Sequence, residues 1–299
     1  MQSTEKCGII IMNKPKGGSS HKCVGVVRKA MNMKKVGHTG TLDPEASGVL
    51  PILIGTATRA AEFLTAEDKR YKATILLGTR TDTLDMAGTV LEENTVTVTE
   101  EDVQTAVSSF VGEISQIPPM YSAIQVNGQR LYHLARQGID VEREARKITI
   151  FSIDIEDISL PYVTINVHCS KGTYIRTLAS DIGDKLGCGG CISELCRTAS
   201  GEYSIENSIT PEELLKLAEE GRADEVIIPI DTAFSQYGAI RLDKAKADRV
   251  KNGVPIYYKG KKQGNFYRVY DENGVFIALS QADTVDGREC LKLIKGFYK

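Results

Sequence analysis

The sequence predicts a mixed α/β chain of the α+β kind, with a larger N-terminal domain and a small β-rich C-terminal one. Three observations predict it. The 299 residues correspond to roughly two domains at about 150 residues each. Helical spacing and two-residue alternation of apolar positions interleave up to residue 238. Beyond that point one short helix and several brief strands crowd around Gly253, Gly260, Gly264 and Gly274, which sets the domains at 1–238 and 239–299. With 41% hydrophobic and 25% charged residues, the chain has the composition of a folded globular protein.

Ile9-Ile10-Ile11-Met12 reads as a first strand, because it is too short for a secretory apolar region and runs straight into Asn13-Lys14-Pro15. Ser19-Ser20 can cap a helix that places Val24, Val27 and Met31 on one face and ends near Asn32. A glycine-rich loop follows, Gly37-His38-Thr39-Gly40-Thr41-Leu42-Asp43-Pro44. Ala57 to Leu64 predicts a helix, and Tyr71 to Leu77 a strand with Tyr71, Ala73, Ile75 and Leu77 on one side. Thr99-Glu100-Glu101-Asp102 is a capping signature for a helix running through Val111. Gln116 to Tyr121, with two prolines, breaks regular structure; Asn127-Gly128 marks a turn, and Leu131, Leu134 and Ala135 a short helix ending at Gly138. Strands are predicted at Lys147 to Ile155 and Val163 to Cys169, then a helix from about Thr173 to Gly187. Thr210-Pro211-Glu212-Glu213 supplies the cap, N1 proline and N3 acid of another helix, and Asp243 to Lys251 forms the short helix of the second domain.

The formal net charge of −2 lacks the overall basic signature of many nucleic-acid binders, yet the charge is unevenly placed. Lys6 to Leu42 carries eight Lys or Arg residues and no acid, until Asp43 ends the run. Asp243 to Tyr270 carries eight cations against two anions and interleaves Tyr257, Tyr258, Phe266, Tyr267 and Tyr270. Either segment alone reads equally as a solvated face; together, one of them with rings for stacking, they point to a polyanionic partner. Seven scattered cysteines without an export signal predict reduced thiols in a cytoplasmic protein. Cys188 and Cys191 form a C-x-x-C with only Cys196 nearby and no His, which is too few ligands for zinc. No phosphate-binding glycine motif follows a strand, so ATP and NAD chemistry is disfavoured. The weakly polar stretch Ala46 to Ala57 falls well short of the roughly 20 apolar residues of a membrane span.

Taken singly, the chemistry-bearing residues are ambiguous. Asp43 reads either as a helix N-cap with Pro44 at N1 or as a carboxylate kept ionised by surrounding cations, available as nucleophile or base. Arg176, in Lys171-Gly172-Thr173-Tyr174-Ile175-Arg176, lies where a strand gives way to a helix and reads equally as a surface residue. His38 suits a hydrogen-bonding loop position, and Tyr71 a strand core.

As a set, four segments in this order closely resemble the TruB family of tRNA pseudouridine synthases. They are Asn13-Lys14-Pro15 with Gly17, Ser19 and Ser20; Gly37 through Pro51; Lys69-Arg70-Tyr71-Lys72-Ala73; and Lys171 through Arg176. The resemblance runs from about Gly8 to Ile230. It implies a pseudouridine synthase-like domain around a largely antiparallel sheet, and isomerisation of uridine 55 in the T loop of tRNA without metal, nucleotide or redox cofactor. It assigns Asp43 as nucleophile and Arg176 as its partner, a guanidinium able to grip a carboxylate bidentately. Tyr71 would stack on the target base, with Tyr174 in the pocket wall and Leu195-Cys196-Arg197-Thr198 closing the pocket. His38 would help keep the base flipped out of the RNA loop. Lys14, Lys16, Lys22, Arg130 and Arg197 are expected to contact RNA, Arg130 from an insertion at about 112–146, and residues 239–299 resemble a PUA-like RNA-binding domain. The resemblance is to the shorter, stand-alone bacterial type, a monomer with no obligatory protein partner. Two rival readings are a non-catalytic tRNA binder or folding chaperone, and an N-glycosidase pairing Asp43 with Asp82 or Asp85.

Overall fold

The computed structural model describes residues 6–126 and 128–298, so the predicted turn at Asn127-Gly128 lies partly outside the described residues. The first half of the chain forms β1 (Gly8–Lys14), α1 (Ser20–Met31), β2 (Val36–His38), β3 (Ser47–Ile54), α2 (Ala61–Thr65) and β4 (Lys69–Leu77). A small ribbon of β5 (Thr79–Thr81) and β6 (Val90–Glu93) is followed by α3 (Glu100–Ser108) and β7 (Gly112–Gln116). The hairpin β8 (Gln125–Val126) and β9 (Gln129–Arg130) leads into α4 (Leu131–Arg136). Then come β10 (Arg146–Ser159), β11 (Tyr162–Cys169), α5 (Ile175–Lys185), β12 (Gly190–Ser200), β13 (Tyr203–Ser204) and α6 (Pro211–Glu219).

These strands build one sheet in the order β1-β3-β12-β4-β11-β10-β7, with β2 beside β3 and β13 beside β12. Its pairings are antiparallel except for a short parallel contact of β12 with β3, where Cys196 and Arg197 face Ser47 and Gly48. α1 starts at Ser19, whose side chain accepts the Lys22 N–H, and ends at Asn32 in the left-handed conformation with φ 51°. α3 and α6 each open with a reciprocal capping box, Thr99 with Asp102 and Thr210 with Glu213, although α3 stops at Ser108, short of the predicted Val111. The predicted helix at Ala57 to Leu64 is split: Gly55–Ala60 winds as a tighter 3₁₀ segment before α2.

Two apolar clusters line the sheet. In one, α1 and α6 bring Val24, Val27 and Leu214 against Met12, Leu50 and Ile52. In the other, α3 and α5 bring Val103 and Leu178 against Ala73, Ile75 and Ile165. Tyr71 and Leu195 touch both clusters, at the seam between them.

The C-terminal sheet is made of β14 (Gly238–Arg241), β15 (Ile256–Tyr257), β16 (Phe266–Tyr270), β17 (Phe276–Val285) and β18 (Arg288–Gly296), with α7 (Lys244–Lys251) after β14. Its order is β14-β16-β17-β18-β15, and β17 and β18, at 10 and 9 residues, are long hairpin arms rather than brief strands. This sheet shares a core with the larger one: Phe276, Leu279 and Phe297 pack with Phe234, Ile9 and Leu53. Thr56 Oγ1 donates to the Phe297 carbonyl at 2.8 Å, and Arg59 Nη1 to the Gly296 and Tyr298 carbonyls at 2.9 Å. Among the described residues, no helix is long and apolar enough to cross a membrane.

Candidate active site

Asp43 stands on the loop between β2 and β3, and that loop is tethered on both sides of it. The Leu42 N–H donates to Ser20 Oγ at 2.9 Å, and that hydroxyl donates to the Leu42 carbonyl at 3.1 Å. The Pro44 carbonyl accepts Lys14 Nζ at 3.1 Å and the Gly17 N–H at 2.9 Å. No helix starts at Pro44. The Asp43 carbonyl accepts only the Ala46 N–H, at 3.1 Å, before the chain enters β3, so the N-cap reading of Asp43 is not realised.

Arg176 is the second residue of α5 and is buried, not a surface residue. Its Nε lies 2.8 Å from Asp43 Oδ2, with the arginine side chain 5% and the aspartate 41% exposed. Nη1 donates to the Thr83 carbonyl at 2.7 Å and Nη2 to the Tyr121 carbonyl at 2.8 Å. The expected two-point grip on the carboxylate is therefore replaced by a single ion contact, because the rest of the fork is taken up by backbone carbonyls. Asp85, buried, stands 3.8 Å from Nη1; its Oδ1 accepts the Thr83 hydroxyl at 2.6 Å and the Ala87 N–H at 3.1 Å. A buried, permanently charged guanidinium thus faces one half-exposed carboxylate and one buried carboxylate, with each of its three nitrogens engaged.

Lys16, Asp43, Asp85, Met86, Arg176 and Leu195 are among the residues lining a cavity of about 90 Å³. Tyr71, half-buried on β4, is the register partner of Arg197 on the adjacent β12 and lies outside the lining of that cavity. Burial pushes the Tyr71 phenol up while the adjacent guanidinium of Arg197 opposes it, so the hydroxyl keeps its proton at neutral pH. Burial likewise pushes up the phenol of Tyr174, which holds the N-cap position of α5. His38 sits at the end of β2 with Nδ1 buried and unpartnered; burial, then the neighbouring His21 and Arg197, lower its pKa and leave the ring neutral at pH 7.

Two expected RNA contacts are corrected. Lys14 is wholly buried, and its Nζ donates to the carbonyls of Gly18 at 2.5 Å, Pro15 at 3.0 Å and Pro44 at 3.1 Å. Arg197 is 2% exposed and donates from Nε to the Val49 carbonyl at 2.7 Å and from Nη2 to the Gly40 carbonyl at 3.4 Å. Both cations are committed to holding the Asp43 loop from below. Lys16, Lys22 and Arg130 are exposed, but only Lys16 borders the cavity; Lys22 lies on α1 and Arg130 at the end of β9.

Sequence reasoning passed over Ser20 as a clamp on Leu42, Gln116, whose side chain bonds the backbone of Tyr174, and Gly48. Gly48 has φ +103°, and a Cβ there would overlap the Arg197 carbonyl oxygen, which lies at the parallel β3–β12 contact. A glycine beside a buried apolar strand was the one local signal available for it.

Residues 28–175 match the model of the TruB family pseudouridylate synthase N-terminal domain. Residues 176–235 match the tRNA pseudouridylate synthase B C-terminal domain, and 238–285 the C-terminal domain of pseudouridine synthase II TruB. The tRNA pseudouridine synthase B of Clostridium tetani is 47% identical over 292 residues, covering 96% of this chain and 99% of that protein. That of Haemophilus influenzae is 42% identical, covering 92% of each. Among solved structures, a Cbf5-Nop10-Gar1 complex superposes with a TM-score of 0.73 at 27% identity, covering 97% of this chain and 85% of the matched one. With its mixed α/β fold and C-terminal β-rich domain, this chain belongs to the TruB family of pseudouridylate synthases.

Proposed function

We propose that this enzyme isomerises uridine 55 in the T loop of tRNA to pseudouridine, with Asp43 as nucleophile, working as a cytoplasmic monomer without metal or other cofactor. The observation that carries the reading is the Asp43–Arg176 ion pair, half open to a small cavity and closed beneath. A cavity of about 90 Å³ admits one ring-sized group rather than a stacked stretch of RNA, so the target nucleotide has to be flipped in. Asp43 attacks the sugar or the base, the C1′–N1 bond breaks, the uracil turns over, and C1′ bonds to C5, whose hydrogen leaves as a proton.

Arg176 holds the carboxylate oriented without competing for all of it, since only Oδ2 is engaged. The Tyr71 ring stacks on the base, with its hydroxyl protonated; Leu195 lines the cavity, and Tyr174 stands behind that lining at the N-cap of α5. Neutral His38 keeps the RNA loop open by hydrogen bonding rather than by charge. Lys16, Lys22 and Arg130 contact phosphates, while Lys14 and Arg197 position the catalytic loop. Residues 1–238 carry out the chemistry, and the sheet within 239–299 adds RNA contact as a PUA-like domain.

The test uses a T-loop transcript tritiated at uridine C5, because formation of the new C–C bond must expel that label. Wild type is expected to release tritium and Asp43→Asn to release none while still binding RNA. Release of free uracil would replace this reading with the N-glycosidase, and binding without tritium release by wild type would replace it with a binding module.

A further inference from the structure

The chain leaves the main sheet after Gln116 and returns at Arg146, and these two residues are register partners in the β7–β10 pair. The excursion between them is internally tied. At the start of α4, Leu131 and Tyr132 donate their N–H groups to the Ile124 and Ser122 carbonyls at 2.8 and 3.1 Å. On the returning limb Arg143 donates to the Pro118 carbonyl at 3.2 Å.

The neck of this excursion grips the site at two points. The Gln116 side chain, 2% exposed, accepts the Tyr174 N–H at 2.8 Å and donates to the Tyr174 carbonyl at 3.1 Å. Tyr174 is the N-cap residue of α5 and stands two positions before Arg176. The Tyr121 carbonyl, next to the Ser122 that α4 bonds, accepts Arg176 Nη2. One amide therefore fixes the start of the helix that carries Arg176, and one carbonyl fixes the guanidinium, both from the root of the same excursion.

We infer that Gln116 is a positioning residue which, with the Tyr121 carbonyl, ties the 117–145 excursion to Arg176, so that contact of the excursion with RNA sets the orientation of the Asp43–Arg176 pair. The inference rests on the pseudouridine synthase reading above. In physical terms, a shift of α4 pulls on Ser122 and Tyr121 and turns the guanidinium about its contact with Asp43. Misplacement of a reacting group by about 1 Å can cost about a hundredfold in rate.

The test is single-turnover tritium release at saturating enzyme, beside tRNA affinity, for Gln116→Met and Gln116→Glu. Methionine keeps the volume and loses both bonds; glutamate keeps acceptance from the Tyr174 N–H but sets a second acceptor oxygen against the Tyr174 carbonyl. At temperatures well below melting, both variants are expected to slow the saturated step by about tenfold or more with Kd within about twofold. A saturated rate equal to wild type overturns the inference, whether or not melting temperature or affinity falls. Should Gln116→Met fold poorly, Gln116→Glu decides alone by the same criterion. Absence of release by wild type would count against the reaction itself, so the two failures are distinguishable.

Discussion

Replacing Gly48 by alanine is expected to damage stability and catalysis together, through the one place where β3 and β12 run parallel. Gly48 has φ +103°, and an added Cβ would overlap the Arg197 carbonyl oxygen and stand 2.9 Å from the Arg197 carbonyl carbon and nitrogen. The backbone strain costs about 1–2 kcal/mol, and the forced separation of packed strands adds about 1–3 kcal/mol. For a chain of this length, whose unfolding entropy is about 2.1 cal/mol/K per residue, that total lowers the melting temperature by roughly 3–8 °C. The rate falls as well, because Arg197 reaches from this junction to the Val49 and Gly40 carbonyls on either side of the Asp43 loop. Gly187→Ala is the control: Gly187 has φ +76° and nothing within 4 Å of an added Cβ, so it suffers backbone strain alone. Thermal melts and single-turnover rates on both variants decide the matter. A Gly48 variant that melts no lower than the Gly187 variant and turns over at the wild-type rate would refute the claim that this junction sets the catalytic loop.

Other changes separate positioning from RNA contact. Lys14→Met should slow catalysis while leaving the salt dependence of tRNA binding unchanged, since the buried Nζ meets only carbonyls; a flatter salt slope in filter binding would contradict this. Lys16→Glu, at the exposed rim of the cavity, should weaken tRNA binding and reduce the slope of log affinity against log salt by about one phosphate contact; an unchanged slope would remove Lys16 from the interface. Burial, with Asp184 nearby, pushes the Asp181 carboxyl up to about 6, above its unfolded value of 3.8. The neutral form is thus the one the fold favours: the charge penalty is absent below pH 3.8, grows as pH rises, and is complete above about 6. Asp181→Asn should therefore stabilise the protein by about 1 kcal/mol at pH 7 to 8 and have little effect near pH 4, as read from melts across pH. A gain confined to low pH would reverse that assignment.

How much of this was legible in the sequence follows from where the information lies. Helices α1 and α6 declared themselves through local caps, and β4 and β11 through alternation of apolar and polar positions. β3 gave no such pattern: Ser47–Ile54 is buried on both faces, so it reads as a continuous apolar run, and Gly48 and Pro51 look like breakers. β12, also unforeseen, is rich in small and polar residues, and its place is fixed by neighbours on both sides rather than by its own propensity. Asp43 and Arg176 stood out only as members of a set, because the ion pair joins two segments far apart in the chain. Lys14 and Arg197 are RNA contacts by the resemblance alone, and side chains of their kind are rarely buried. Only the tertiary fold shows carbonyls waiting for them. The clamping roles of Ser20 and Gln116 carry no local signal, since the partners lie 22 and 58 residues away.

The central claim is that the Asp43 carboxylate, held by Arg176, converts one uridine of the tRNA T loop to pseudouridine. The most direct measurement incubates unmodified tRNA transcript with wild type and with Asp43→Asn, then maps pseudouridine at single-nucleotide resolution by carbodiimide adduct formation and primer extension. One strong stop at position 55 is expected with wild type and none with the variant. A wild-type-strength stop with Asp43→Asn, or wild-type modification at another position in place of 55, would contradict it.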